Sequence, residues 1–417
     1  MAIADAVKAL EEAFPSQVLL PGTPEYTELS HSYLSVLESD ITPACIFRPT
    51  SNEEISTFLK LTRGTPFAIR GGGQQPLPGC ANIPDGITLD LGLLTDIEVN
   101  EDTSTISIAA VERWGNAYDV LAPKNLAVTG GRSAKGGIGG LALQGGLSFF
   151  SSREGFICDN VLSYEIILAS GLLITANATS HPDLWLALRG GANNFGIVTR
   201  YHMRIFAQTR FWGASIYYFS PSFPSQIDNM VDELTKADAS HDTHSDVEYR
   251  AAVAMEGMRC AYMNITLKAS SPALKTAADI YTSSLEPIKS KEGLICSLTL
   301  QPYPISLLEK SIELGGNFLG LSPADGPLVS VLLLTYWKNR EDDEQILGLM
   351  KGVLGRIDAE AKEEGQVVGF TFMNYASGFQ DPVASYGVEN MRRLQGVSRK
   401  YDPEGVFQRL VPRGGGV

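Results

Sequence analysis

A chain of 417 residues with 44% hydrophobic content is long enough for about two or three domains, each with a sizeable core. Lys plus Arg number 33 against 47 Asp plus Glu, and the resulting net charge of -14 argues against a surface built to displace counterions from nucleic acid. Five cysteines, odd in number and widely spaced with no Cys-x-x-Cys pair, argue against a disulfide framework and read as reduced core thiols.

The first residues, Met1 to Lys8, open an amphipathic helix with acids at Asp5, Glu11 and Glu12. They carry neither a basic n-region nor an apolar h-region, so the expected location is cytoplasmic, or secreted if a leader was removed. Ala44 to Arg48 reads as a strand. Thr50 or Ser51 can then cap a helix with Ile55, Phe58, Leu59 and Thr62 along one side, and Pro66 to Arg70 reads as the next strand. This β-α-β pattern ends in Gly71-Gly72-Gly73-Gln74-Gln75. Residues without Cβ can take positive φ and let successive N–H groups converge on one anion, so the turn suits a nucleotide phosphate; an ordinary glycine-rich turn would be spelled the same way.

Glycine pairs continue at 130–131, 136–137, 139–140, 145–146 and 190–191. They suggest either an extended ligand laid along the chain up to about residue 205 or tight packing between two sheets. From about 206 to 365 glycine thins, and strands such as Phe211 to Phe219 and Leu328 to Trp337 alternate with helices such as Asp342 to Lys362. The Leu328 to Trp337 run is far short of the ~18 to 20 apolar residues that span a bilayer, so it reads as a buried strand and no membrane partner is expected. His241 and His244 would share a helix face, yet no third ligand stands at a metal-like spacing and no metal is expected. Asn177-Ala-Thr179 and Asn264-Ile-Thr266 match the glycosylation acceptor pattern and are treated as silent. Beyond 366, Phe370 to Tyr375 reads as a strand and Pro382 to Lys400 as a helix.

No G-x-G-x-x-G lies between a first strand and helix, and no Walker loop occurs. Instead the segments Arg70 to Gly79, Gly130 to Gly146, Gly155 to Val161 and Leu188 to Thr199 follow one another in an order and spacing that resemble the FAD-binding half of the vanillyl-alcohol-oxidase, or PCMH-type, flavoproteins. The closest likeness is to the berberine-bridge-enzyme-like branch, and it extends to Asn374-Tyr375 and to Asn390 through Phe407. The resemblance implies an α+β fold: a two-subdomain FAD-binding domain over 1–205, a substrate domain with an antiparallel sheet and flanking helices over 206–365, and a segment over 366–417 that returns to the FAD domain. It also implies an FAD site. Gly71, Gly72, Gly73, Gln74 and Gln75, entered through Arg70, would meet the pyrophosphate. Gly131, Ser133, Gly136, Gly137, Gly139, Gly140, Leu141, Gly145 and Gly146 would run beside the ribityl chain and ring, with Asp159, Asn160, Gly196, Ile197, Val198 and Asn374 completing the set.

Two departures shape the expected chemistry. Enzymes of this branch usually attach FAD through a histidine after the first glycines, and often also through a cysteine in the second motif; Gln74 and Ser133 occupy those positions. Neither an amide nor a hydroxyl can form such bonds, so FAD is expected to be noncovalent and to favour an easily oxidised substrate. In the tail, Phe372 replaces the first tyrosine of the family pattern and Ser377 stands where an acid is frequent, leaving Tyr375 either as the proton-transfer candidate or as a buried aromatic with a satisfied hydroxyl. Two main functions remain open. One is an FAD-dependent oxidoreductase of secondary metabolism that acts on a small, largely apolar metabolite and returns electrons to oxygen, with oxidative cyclisation among its outcomes. The other is a redox-neutral cyclase or isomerase that holds a polyene in a reactive conformation. A binding protein without activity is the third.

Overall fold

Ser51 sits in extended backbone and its hydroxyl accepts the Glu54 N–H at 3.3 Å, while the Glu54 carboxylate takes the Thr50 N–H at 2.6 Å. Two otherwise orphaned donors are thereby satisfied, and the helix Asn52–Leu61 begins where the sequence places it. Its buried face carries Ile55, Phe58 and Leu59 onto the strands Cys45–Phe47 and Phe67–Arg70. There Phe58 stacks on Phe47 at 5.5 Å and meets Phe67 edge-on at 5.4 Å. These two strands flank Ile87–Asp90 in parallel, and Val18–Leu19 adds an antiparallel edge, giving a four-stranded sheet. The glycine turn therefore follows the carboxyl end of a parallel strand, the usual place for a ligand beside such a sheet.

The computed structural model describes residues 2–210, 222–236 and 257–412; the expected strand Phe211 to Phe219, and His241 with His244, lie outside the described residues. A second sheet of six strands is antiparallel and centred on Ile197–Ala207. In that strand Thr199, Tyr201, Met203 and Ile205 are buried while Arg200, His202 and Arg204 are half-buried, the period-two pattern of a sheet with one face on a core.

The third sheet joins Ile295–Tyr303, Leu328–Trp337, Arg259–Lys268 and Val367–Val368, all antiparallel. Ala261, Met263, Ile265 and Leu267 pack with Val329, Val331 and Leu333 under the helices Ser271–Ser284 and Asp343–Glu363. The alternate positions, Tyr262, Asn264, Ser297, Thr299 and Gln301, therefore fall on the opposite face of the sheet. That face meets the tail. The sheet is covered on both sides, which is why Leu328–Trp337 reads as a nearly continuous apolar run.

The tail departs from the expected strand. Phe370 to Tyr375 makes no ladder; after Val367–Val368 it closes into a 3-10 turn over Met373–Tyr375. The Asn264 side chain supplies the partner that a neighbouring strand would have supplied, accepting the Phe372 N–H at 2.9 Å and donating to the Phe372 carbonyl at 3.0 Å. Asn264 is 1% exposed, so its acceptor triplet is closed to a glycan in the folded chain. The expected helix Pro382 to Lys400 is likewise divided: Gly387, at φ +92°, separates a turn at Ala384–Tyr386 from the helix Val388–Tyr401.

Candidate active site

One cleft of about 1820 Å3, taken to its open mouth, runs between the first two sheets and the polar face of the third. Gly71, Gly72, Gly73, Gln74 and Gln75 line it, as do Gly131, Ser133, Gly136, Gly137, Gly139, Gly140 and Leu141. Gly196, Ile197, Val198, Asn374 and Tyr375 complete the residues that the sequence singled out and the fold brings together here.

The glycines have different reasons to be glycine. A Cβ on Gly72 would lie 2.6 Å from the Gly137 Cα, and one on Gly137 would lie 2.7 Å from the Gly72 Cα. Two backbones cross there, so this pair answers to packing as well as to any ligand. Gly140, early in the helix Ile138–Leu143, is exposed toward the cleft, and a Cβ there would meet nothing within 4 Å.

Five expected site residues are not on the cleft. Arg70, 4% exposed, lies over the Tyr33 ring at 3.9 Å, donates to the Leu29 carbonyl at 2.8 Å and pairs with Asp90 at 3.4 Å, fastening the N-terminal segment to the sheet. Gly145 and Gly146, at φ +108° and +74°, turn the chain against Leu319, Phe372 and Ile157. Asp159 accepts the Phe156 N–H at 2.8 Å and the Asn317 amide at 2.8 Å, and its burial raises its carboxyl above the usual range. Asn160 donates to the carbonyls of Glu154 and Phe156. These two brace the turn that leads into Val161–Ile167.

The fold also brings in groups that the sequence reading passed over. The Gln144 amide donates to the Gln75 Oε1 at 3.0 Å and accepts the Asn374 amide at 3.2 Å, while the Asn374 Oδ1 takes the Gly146 N–H at 3.1 Å. Gln144 was visible as the one polar side chain in an otherwise apolar and glycine run, Leu141 to Gly146. Arg132, next to Ser133, donates to the Tyr375 hydroxyl at 2.9 Å, and Gln301 donates to the same oxygen at 3.3 Å. Tyr262 meets the Tyr375 ring edge-on at 6.0 Å, and burial pushes its hydroxyl up. No local pattern joins positions 132, 262, 301 and 375.

Glu38 fixes another part of the wall. Its fully buried carboxylate accepts the N–H groups of Gly79 and of Ala81, the latter at 2.8 Å, and so holds the loop that presents Cys80 and Ala81 to the cleft. Cys80 is thus a half-buried wall thiol, in contrast to the fully buried Cys45, Cys158 and Cys260. Burial raises Glu38 from 4.5 to about 7. An acid raised in the folded state contributes stability below its unfolded value that is lost as pH rises through the folded one. Stability is therefore expected to fall between pH 4.5 and 7 by on the order of 3 kcal/mol through this group. Denaturant titrations across that range should show the slope flattened in Glu38→Gln, and an unchanged slope would place the titration elsewhere.

Among the described residues no group of three His, Cys, Asp or Glu side chains is placed to hold a metal ion, and no helix is long and apolar enough to cross a membrane. The lining suits an extended nucleotide: backbone donors in a turn at a strand end, an open helix start, side-chain amides and an aromatic wall.

Residues 43–177 match the FAD binding domain family. The FAD-dependent monooxygenase tpcD of Cochliobolus heterostrophus is 34% identical over 89% of this chain and 84% of its own length. The FAD-dependent monooxygenase drtC of Aspergillus calidoustus is 31% identical over 99% of this chain and 90% of its own. Among solved structures, the Acremonium strictum glucooligosaccharide oxidase with 6-S-cysteinyl, 8α-N1-histidyl FAD shares the fold at a TM-score of 0.77 and 16% identity, over 96% of this chain and 97% of that one. Identity at the level of the two fungal proteins, sustained over most of both chains, is kinship of family and not of fold alone: this chain belongs to the FAD-dependent oxidoreductases that carry the FAD binding domain, and it shares its fold with the glucooligosaccharide oxidase.

Proposed function

We propose that this enzyme oxidises a small, largely apolar metabolite of secondary metabolism with noncovalently held FAD, passing the electrons to oxygen, with ring closure among the outcomes. Residues 1–205 act as the FAD-binding domain, 206–365 as the substrate domain, and 366–417 as the segment that closes back on the first. The observation that carries this reading is a single continuous cleft: the glycine turn, Gly140, and the Tyr375 hydroxyl all line the same space.

The N–H groups of Gly71 to Gln75 would hold the pyrophosphate, residues Gly131 to Leu141 the ribityl chain and ring, and the amides of Gln75, Gln144 and Asn374 a polar edge of the ring. When bound, FAD supplies a two-electron acceptor for hydride. Leu34, Leu147 and Tyr262 give the cleft apolar walls that exclude water from a bound metabolite. Arg132 and Gln301 hold the Tyr375 hydroxyl in place beside it.

Gln74 and Ser133 both line the cleft and neither can bond to the ring, which supports noncovalent binding. Acid precipitation of the yellow protein should leave the flavin in the supernatant; a denatured protein mass increased by one FAD would refute this. For the reaction, anaerobic titration of the holoenzyme with a panel of allylic and benzylic alcohols, amines and dihydro-rings should yield a substrate that bleaches the ~450 nm band of oxidised flavin. A substrate converted with that band unchanged, and equally well with a reduction-incompetent flavin analogue, would replace oxidation with redox-neutral cyclisation.

A further inference from the structure

The side-chain amides along the cleft form a chain whose direction the backbone settles at both ends. The Gly146 N–H, which can only donate, gives its hydrogen to the Asn374 Oδ1 at 3.1 Å. Asn374 must therefore turn its nitrogen the other way, where it donates to the Gln144 Oε1 at 3.2 Å and to the Leu141 carbonyl at 3.4 Å. The Gln144 nitrogen donates to the Gln75 Oε1 at 3.0 Å, and the Gln75 nitrogen donates at 3.4 Å to the Met373 carbonyl, which can only accept. Turning any one of these amides over would set nitrogen against nitrogen and oxygen against oxygen at its neighbours, so the whole chain has one polarity. All three side chains line the cleft, Gln144 and Asn374 buried and Gln75 half-buried. A primary amide carries two N–H hydrogens. Among the described residues the Gln75 nitrogen gives one to Met373 and keeps the other, while its oxygen is held back by Gln144.

We propose that Gln144 is a positioning residue for the cofactor: by holding the Gln75 oxygen it leaves the remaining Gln75 N–H to bound FAD, and this donor holds the reduced ring more tightly than the oxidised one. This rests on the assignment of these amides to the ring edge of noncovalently bound FAD. A hydride taken from the substrate brings two electrons and one proton, and leaves the ring with one negative charge. A hydrogen bond given to a charged acceptor is stronger than the same bond given to a neutral one. The Gln75 donor therefore favours the reduced state and makes the flavin the stronger oxidant. An amide free to turn would present its oxygen as readily as its nitrogen, and an oxygen facing the same ring acts in the opposite sense. The chain also ties together the elements that build the site: Gln75 follows the strand Phe67–Arg70, Gln144 follows the helix Ile138–Leu143, and Asn374 lies in the tail turn Met373–Tyr375. The donor is thus fixed before charge arrives and needs no reorganisation to meet it.

The test is the midpoint potential of FAD in the loaded protein, read by equilibration against a reference dye, together with the affinity for oxidised FAD. Gln144→Met, unbranched and of similar length, removes the clamp without adding charge, and Gln75→Met removes the donor. Each should weaken reduced FAD ~10-fold more than oxidised FAD, which for a two-electron couple lowers the potential by ~30 mV. The double variant should shift no further than either single one, because Gln144 acts through Gln75; two independent losses of packing would instead add. An unchanged or raised potential in either single variant, or shifts that add in the double variant, would overturn the proposal. If Gln144→Met does not fold or load, the half-buried Gln75→Met decides: a lowered potential supports the donor and an unchanged one overturns it. A wild-type protein that takes up no FAD would sink this proposal together with the cofactor reading. The expected shifts in an enzyme whose flavin no substrate bleaches would sink the oxidation reading and leave this one standing; bleaching by substrate with equal potentials in all four proteins would do the reverse.

Discussion

Gly140→Val should give a folded protein that no longer retains FAD. Apart from its own helix backbone, a Cβ at this position meets nothing within 4 Å, so a side chain can begin here without striking the packed surroundings, at the start of the helix Ile138–Leu143 where it lines the cleft. A ligand that runs beside residues 131–141 must then give way, and apparent FAD affinity is expected to fall at least ~100-fold, about 2.7 kcal/mol. Flavin absorbance per protein after desalting measures the loss, and the far-ultraviolet circular dichroism spectrum should match wild type. The melting temperature should fall as well, by the share of stability that bound FAD contributes. Stoichiometric FAD in a folded Gly140→Val protein would mean that the cofactor lies elsewhere in the cleft. Gly72 is the less informative target although it sits in the phosphate-suited turn, because its Cβ would strike the Gly137 backbone at 2.6 Å and confuse lost packing with lost binding.

How far the sequence foreshadowed this site depends on the range of the interaction concerned. The helix Asn52–Leu61 was legible because its start is set by the Ser51 cap, next to it in the chain, and its buried face by 3.6-residue spacing. The glycine turn was legible because a strand precedes it directly. Phe370 to Tyr375 looked like a strand because its apolar residues suit one, and nothing local showed that Asn264, 108 residues earlier, would occupy the Phe372 backbone. Arg70 was drawn into the cofactor set by adjacency to Gly71, but its partners are Leu29, Ser32 and Asp90, which lie distant in sequence. The Arg132, Gln301 and Tyr375 cluster has no signature in the sequence, since its members come from a loop, a sheet and a turn up to 243 residues apart.

The same distinction governs Arg189, which lies within the glycine-rich segment that resembles a flavin motif yet faces away from the cleft. It is 1% exposed, and its guanidinium donates to the carbonyls of Val161 at 2.9 Å, Leu314 at 2.9 Å and Gly316 at 3.1 Å while stacking over Trp185 at 3.8 Å. Its positive charge also holds down the buried carboxyl of Asp159, which desolvation otherwise raises. Arg189→Met keeps the length of the stem and removes every donor, leaving the Leu314 and Gly316 carbonyls unmatched, the Val161 carbonyl with the Trp185 indole N–H alone, and Asp159 without its cation. The cost should be about 3–5 kcal/mol, large for one substitution because buried partners are left behind. Calorimetry on the FAD-loaded protein should show the transition containing the FAD-binding domain lowered by roughly 6–12 °C. A shift under ~2 °C would mean that water or a rearranged side chain satisfies those carbonyls. Because Gly190 and Ala192 both donate to the Leu143 carbonyl, and Ala192 and Asn193 line the cleft, the damage should reach the site on heating. FAD should stay bound at low temperature and leave as this transition begins, which separates a residue that holds the cleft together from one that holds the cofactor.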